Sequence, residues 1–369
     1  MNSNGAREWG HASRYYASAV APPVTISGRP RTAQYAWAER PLTPTAEDRW
    51  AALLEKAAPG ARQTVERAFK QWNNIIRDHL RSETALRLTV GDDAQAVPVR
   101  VVGGMPAPFA EVMREFEGGE WLLLNRPLLI AAVNGTVFVE SNYGAAADLL
   151  GGLPPLPSCE DVGRVRGMAE QLLKKLDDAK VVERIIGIEE DVLGAYFFRV
   201  PEIRLYWMVI GIVSAALGVS VEALTVVVLA HELAHAYTHL GRDIDSERWE
   251  TEDFARADPS IVEGLAQFYT KVICERLEAR APAAAEAYKT LLAKQSGPYR
   301  AHVEWVDESE RGGEIVRVAM IECRSQGIRD SERFSAAIDR HRKQVKGREK
   351  PRKPGDGSAD ALFSPAGGD

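Results

Sequence analysis

The stretch SVEALTVVVLAHELAHAYTHLG, which occupies residues 220–241, predicts the helix around which the fold is organised. Ser220 is a preferred N-cap residue, Glu222 suits the positive end of the helix dipole, and Gly241 follows the last turn. Neither proline nor glycine interrupts residues 222–240, and apolar side chains recur on nearly every face. A helix that is apolar all round is buried, so we expect this one to lie in the core.

Within this helix, His231, Glu232 and His235 form the motif HExxH. Imidazoles four residues apart point to the same side of a helix, one turn above the other. Their Nε2 atoms can share one tetrahedral zinc ion at about 2.0–2.1 Å. Glu232 lies beside the first histidine and can take a proton from the water on the metal. The motif therefore predicts one zinc ion (Zn2+) per chain, with His231 and His235 as ligands and Glu232 as general base.

A third zinc ligand is predicted on the next helix, which begins near Ser260. Glu263 is the one acid in the apolar run SIVEGLAQFY, and Gly264 beside it allows a close backbone approach. The spacing of Ser260 and Glu263 also fits a capping box, in which the carboxylate would bind the helix terminus instead. Glu250 and Glu252 are alternative ligands, although their polar surroundings indicate a solvated loop.

Other polar residues nearby could orient the ligands or stabilise the transition state, and no spacing rule selects among them. Gln267 lies one turn after Glu263 on the same helix face. His239 lies one turn after His235, where a partly exposed histidine favoured by the helix dipole is the simpler interpretation. Four further side chains could stabilise an oxyanion, with core packing as the alternative for each. They are Tyr237, Tyr269, Tyr299 and His302.

The run HELAHAYTH at residues 231–239, followed by Glu263 on a later helix, resembles the gluzincin branch of the HExxH zinc metallopeptidases, or zincins. The gap between motif and third ligand, and His239 itself, are similar to the ImmA/IrrE-type intracellular peptidases. The run around Glu263 departs from the one typical of that subfamily. The resemblance spans roughly residues 195–280. It implies a small sheet over the motif helix, with residues 195–200 as the edge strand that binds the substrate backbone.

The whole sequence predicts an α+β protein. A mainly helical, zincin-like catalytic domain with a small sheet follows a module made of a helix and a β-hairpin. We expect a loop or disordered segment at residues 1–44, a helix and β-rich module at 45–157, the catalytic domain at 158–346 and a disordered tail at 347–369. The Gly- and Pro-rich run at 151–157 marks the boundary between the two folded parts.

Several local patterns underlie this organisation. Helical spacing of apolar residues predicts a helix within residues 45–80. Asn134-Gly135 stands between two apolar runs and predicts a hairpin, because both residues tolerate positive φ. Pro201 predicts the first residue of a helix that ends near Gly218. Further helices are predicted at 161–183, 258–279, 282–295, 314–325 and 331–345, and Trp50, Trp72 and Trp121 are expected in the core.

Bulk composition narrows the classes of partner. The chain has 369 residues and a formal net charge of -6, which gives no general case for binding nucleic acid or an anionic membrane. Its three cysteines form no disulfide framework, so reduced thiols in the cytoplasm are expected. The apolar run at 205–217 is shorter than the roughly 20 residues of a spanning helix. Basic residues within 340–353 indicate a solvated tail, with a nucleic-acid tether as the alternative.

The sequence therefore predicts a zinc-dependent peptidase that acts on a peptide or protein substrate, and it leaves the oligomeric state open. One alternative is a regulatory or binding protein with a structural zinc site. A second alternative is a chance motif whose histidines bond only to protein groups in the core. A third is a nucleic-acid-associated factor. An open coordination position would separate a catalytic site from a structural one, because structural zinc sites are closed by protein ligands.

Overall fold

The computed structural model of the chain describes residues 44–88, 97–116, 118–149, 158–188, 192–295, 297–305 and 311–348. The described part is mainly helical with one small sheet, so the predicted α+β class is confirmed. The predicted boundary at 151–157 lies outside the described residues. So do the predicted terminal segments, except that one helix begins at Pro44 and another ends at Arg348.

The α-helices, in chain order, are α1 Pro44–Ala57, α2 Ala61–Thr84, α3 Ala107–Glu115, α4 Glu120–Leu124, α5 Arg126–Leu149, α6 Cys159–Asp178, α7 Val181–Ile186, α8 Trp207–Leu217, α9 Val221–Leu240, α10 Thr251–Arg256, α11 Pro259–Arg276, α12 Pro282–Leu292, α13 Gly312–Gln326 and α14 Ser331–Arg348. A 3-10 helix, Gly297–Glu304, connects α12 to the segment before α13. The helices predicted from the sequence after residue 258 are confirmed, with ends that differ by a few residues.

The sheet consists of β1 Val99–Val102, β2 Gly194–Phe197 and β3 Glu202–Tyr206, in the order β1-β3-β2. The central strand β3 pairs parallel with β1 and antiparallel with β2, where Tyr196 lies opposite Ile203. Within this sheet β2 is an edge strand, and its first residue, Gly194, lies against α9. The strand predicted at 195–200 is therefore present, but it ends three residues earlier, at Phe197.

The motif helix α9 is the centre of the core, as its all-round apolar sequence predicts. Every residue from Ala223 to His239 is buried. Ser220 caps the helix, because its side chain accepts a hydrogen bond from the backbone N–H of Ala223 at 3.1 Å. Helices α2, α8, α11 and α12 pack around α9, and the sheet covers another side. A helix with apolar side chains on all faces needs partners in all directions, and this arrangement supplies them.

Helix α2 is the N-terminal partner of α9. Its buried residues recur at helical spacing and form one stripe, Val65, Ala68, Trp72, Ile76 and Leu80. The hydroxyl of Tyr237 on α9 donates to the backbone carbonyl of Arg77 on α2 at 2.9 Å. The helix predicted within 45–80 is confirmed as two helices, because Gly60 adopts a positive φ of 72° between them.

The hairpin predicted at Asn134-Gly135 is wrong, because both residues lie inside the continuous helix α5. The apolar residues that flank them also satisfy a helical spacing, and α5 packs along α6. A helix bonds its own backbone, whereas the outer edges of a hairpin would have needed water or a further strand as partners. Asn134 and Gly135 lie on the exposed side, where poor helix propensity costs only about 1 kcal/mol. In the predicted β-rich module, residues 45–157, β1 is therefore the one strand among the described residues.

Two smaller predictions also fail. Pro201 does not open a helix but lies in the turn between β2 and β3, and the helix α8 begins only at Trp207. Its end is as predicted, with Gly218 in the left-handed conformation at φ 72°. Trp50 and Trp72 are in the core, but Trp121 is 53% exposed on the short helix α4.

No single helix in the described ranges is long and apolar enough to cross a membrane. The consecutive helices α8 and α9 reach that length and composition only together, and they meet at a bend of 120°.

The packing of α11 against the 3-10 helix generates a test. An added Cβ at Gly264 would lie 2.5 Å from the Trp305 ring, so Gly264→Ala should destabilise the fold by about 1–3 kcal/mol. Gly167 on α6 has no heavy atom within 4 Å of such a Cβ. Gly167→Ala should therefore stabilise by about 0.5–1 kcal/mol through helix propensity. Urea unfolding measures both, and a stabilised Gly264→Ala would contradict the close packing at α11.

Candidate metal centre

The two motif histidines converge as their helical spacing requires. His231 and His235 project from consecutive turns of α9, and their Nε2 atoms are 3.1 Å apart. Both rings are buried, at 7% and 2% exposure. The protein therefore places two imidazole nitrogens at one point inside a dry interior.

Glu263 on α11 completes the group. Its Oε2 atom lies 3.3 Å from Nε2 of His231 and 3.4 Å from Nε2 of His235. The capping-box alternative is wrong, because Asp258 is the N-cap of α11 and accepts from the backbone N–H of Ser260 at 2.8 Å. The helix terminus thus has its own cap, and the Glu263 carboxylate points to the histidines.

The other two candidate ligands lie elsewhere. Glu250 and Glu252 are exposed at the start of α10. Glu252 forms an ion pair of 3.0 Å with Arg199. Neither is part of the donor trio, which we define as His231, His235 and Glu263. Among the described residues, no other group of three or more His, Cys, Asp and Glu side chains is arranged to hold a metal.

The dimensions of the donor trio fit a metal ion. Two ligands of one tetrahedral zinc at about 2.05 Å are separated by about 3.3 Å. The three donor atoms are 3.1, 3.3 and 3.4 Å apart, so they can occupy three corners of that tetrahedron and leave the fourth open. Two imidazoles and one carboxylate suit zinc, and other divalent transition metals can bind the same donors.

The electrostatics of the trio favour a bound cation as well. Burial alone would raise the pKa of Glu263, but the neighbouring imidazoles of His235 and His231 lower it. The direction of this shift favours the ionised carboxylate, although Glu263 is only 6% exposed. A buried negative charge needs a positive partner, and a divalent ion between the three donors would provide one.

Glu232 lies beside the trio rather than in it. Its side chain is 2% exposed and faces the start of β2. A Cβ added to Gly194 would lie 2.9 Å from Oε1 of Glu232 and 2.8 Å from Val228. Only a glycine lets the strand pass this close, so Gly194 brings the edge strand β2 to the carboxylate.

A cleft opens next to the trio and the Glu232 carboxylate. Both His231 and Glu232 line it. Its other polar lining residues are Gln267, Gln295 and Tyr299. The remaining lining is glycine and aliphatic side chains from α7, α8, α9, α12 and the segment before β2. His231 of the donor trio thus borders a mostly apolar cleft.

Two of the predicted supporting residues lie in this cleft. Gln267 is buried one turn after Glu263, and its amide donates to Oε1 of Gln295 at 3.2 Å. The ring of Tyr299 on the 3-10 helix is 6.1 Å, centroid to centroid, from the ring of His231. Among the four predicted oxyanion candidates, Tyr299 is the one placed beside the trio.

The other candidates bond to groups outside the trio. Tyr237 is two residues after His235, hence on a different face of α9, and it bonds to α2. Tyr269 is in the core, where its hydroxyl contacts Sδ of Met320 at 3.7 Å. His302 exchanges a hydrogen bond of 2.9 Å with the hydroxyl of Tyr288. Packing and buried hydrogen bonds account for the positions of all three.

His239 differs from the partly exposed histidine that the sequence favoured, because it is 0% exposed. Its Nδ1 atom is 2.9 Å from the hydroxyl of Tyr196 on β2, and Nε2 is 3.2 Å from Oγ1 of Thr251. Its ring stacks on Phe254 at 4.4 Å. His239 therefore ties the edge strand to the motif helix one turn from His235.

Comparison with known proteins adds no family to these observations. No protein-family model matches the chain, and no similar curated protein or solved structure was found. The site is therefore interpreted from its own geometry.

The buried position of His239 predicts a pH-dependent stability. Burial, together with the nearby cations Arg248 and Arg324, lowers the pKa of His239 to about 3. Below about pH 6.5 the unfolded chain takes up a proton that the folded chain resists. The free energy of unfolding should therefore fall as the pH drops from about 6.5 towards 3.

His239→Gln should lose this part of the pH dependence, which urea unfolding of the metal-free protein at pH 7 and pH 4.5 would measure. Tyr196→Phe is the matched control, because it removes the hydrogen bond but keeps the imidazole. It should lower stability at both pH values and keep the wild-type slope. An unchanged slope in His239→Gln would contradict a neutral buried His239.

Proposed function

We propose that this protein is a zinc-dependent peptidase of the HExxH type. The observation that carries the proposal is the donor trio, three buried atoms 3.1–3.4 Å apart, of which His231 lines a cleft. Glu232, the residue next to His231, lines the same cleft. Metal-assisted hydrolysis requires two or three protein ligands, an open coordination position and a base beside it. Two histidines and one carboxylate are the ligands in this proposal.

In this proposal His231, His235 and Glu263 hold the ion. A zinc ion bound there would supply a coordinated water of lowered pKa and would polarise the substrate carbonyl. Glu232 would accept a proton from the attacking water as the water oxygen bonds to the carbonyl carbon. The same carboxyl group then gives the proton to the amide nitrogen, and the C–N bond breaks. Tyr299, beside His231, is the candidate to stabilise the oxyanion.

The edge strand β2 supports a peptide as the substrate. It pairs with β3 on one side, and its residue Gly194 touches Glu232. An extended peptide can add to the other side of such a strand through backbone hydrogen bonds. That placement would bring a substrate backbone to the carboxylate that acts as base. The gluzincin resemblance, including the partial likeness to ImmA/IrrE-type peptidases, is part of the same proposal.

An open cleft also bears on the alternative of a regulatory protein with structural zinc. Structural sites close the metal with four protein ligands, whereas the trio offers three and borders a cleft.

The basic stretch gives little support to a nucleic-acid factor, because Arg340 pairs with Glu322 and Arg342 with Asp339 within the chain. All three cysteines are free, which is in keeping with the proposed cytoplasmic location.

Metal analysis and hydrolysis together test the proposal. Wild type and Glu232→Gln should each bind about one zinc ion, because Glu232 is not a ligand. His231→Ala and Glu263→Ala each remove a ligand and should weaken zinc binding by at least about 100-fold. Glu232→Gln should hydrolyse labelled casein about 100- to 10,000-fold more slowly than wild type. Zinc content by mass spectrometry and the rate of casein cleavage are the measurements.

Glu252→Gln is the matched control, because this carboxylate is near in sequence but pairs with Arg199. It should keep both zinc and activity. Full zinc content in Glu263→Ala would exclude Glu263 as ligand. Full activity in Glu232→Gln would exclude the proposed mechanism.

A further inference from the structure

The cleft extends from His231 along α9, and its lining there is apolar. Val227 and Val228 lie one turn before His231 and Glu232, so each pair shares a face of the helix. Both valines line the cleft, and Val213 of α8 lies beside them. The surface next to the base and the first ligand is therefore built from branched aliphatic side chains.

The opposite wall has the same character. Ile186 at the end of α7 and Ile188 just after it line the cleft, together with Leu291 of α12. Ile186 and Ile188 are half-buried, so part of each side chain faces the open space. Four helices, α7, α8, α9 and α12, meet here, and each contributes leucine, isoleucine or valine.

The polar side chains that line the cleft outside the donor trio and Glu232 are uncharged. Apart from His231 and Glu232 of the centre, the described lining contributes polarity through Gln267, Gln295 and the hydroxyl of Tyr299. Amides and hydroxyls can bond a peptide group, but they provide no counter-ion for a charged side chain. An ionised substrate side chain would lose its water in this cleft without gaining a partner of opposite charge.

We propose that this cleft is the specificity pocket of the enzyme and takes an aliphatic side chain, such as leucine, isoleucine or methionine, next to the scissile bond. This inference rests on the proposed peptidase function. Burial of a leucine instead of an alanine side chain should favour the substrate by about 10- to 100-fold. Aspartate, glutamate, lysine and arginine should be disfavoured at the same position.

The first measurement is the cleavage of a mixture of peptides by the zinc-loaded wild-type chain, with the products sequenced by mass spectrometry. Leucine, isoleucine, valine and methionine should be enriched by at least about tenfold at one of the two positions that flank the cleaved bond. Cleavage without such enrichment would overturn the pocket and leave the peptidase function standing.

A carboxylate placed in the wall should change the preference. Ile186→Asp should lose the aliphatic enrichment and admit lysine and arginine at the same position, because the new charge supplies their counter-ion. Val182→Asp is the matched control, since Val182 is half-buried one turn earlier on α7 but does not line the cleft. Ile188→Asp serves as the second wall variant if Ile186→Asp does not fold. An unchanged preference in a folded wall variant would overturn the proposal.

Binding separates the two claims. Zinc-loaded Glu232→Gln is titrated by calorimetry with acetylated, amidated alanine peptides that carry one leucine, aspartate or lysine. Tighter binding of the leucine peptide, by about tenfold or more, supports the pocket even without turnover. Such binding with no hydrolysis by wild type would refute the peptidase function alone. Equal binding of all three peptides would refute the pocket.

Discussion

Two imidazoles and one carboxylate form a buried cluster in this protein, and the rest of the structure is arranged around that cluster. His231 and His235 come from the central helix, and Glu263 comes from the helix that crosses it. Their donor atoms lie 3.1–3.4 Å apart, where an ionised carboxylate would be costly without a cation. Beside Glu263, Gly264 leaves room for the ring of Trp305 and so lets α11 pack closely against the 3-10 segment.

The apolar character of the motif helix determines the architecture around the trio. Because every face of α9 is buried, helices pack on several sides of it and the three-stranded sheet covers another. The sheet brings its edge strand to Glu232 through Gly194, and Tyr196 of the same strand bonds to His239. The donor trio, Glu232 and the edge strand β2 are thus fixed by one set of packing contacts. The proposed pocket is the place where this packing leaves aliphatic surface open.

Local signals made the donor trio and the motif helix predictable. The HExxH spacing, the Ser220 cap and the lone acid in an apolar run all act over a few residues, and each was found where predicted. The hairpin at Asn134-Gly135 failed because a turn signal cannot outweigh a helix that packs along a neighbour. Pro201 failed because proline suits a turn before a strand as well as a helix start. The burial of His239 and the aliphatic cleft depend on contacts between distant segments, which no local pattern encodes.

The central claim is that the donor trio holds one metal ion with a coordination position left for water or substrate. X-ray absorption of the zinc-loaded chain measures the ligands of the metal directly. The account predicts two imidazole nitrogens and two oxygens, one from Glu263 and one from water, at about 2.0–2.2 Å. A sulfur ligand, or a zinc ion closed by further histidines, would contradict it.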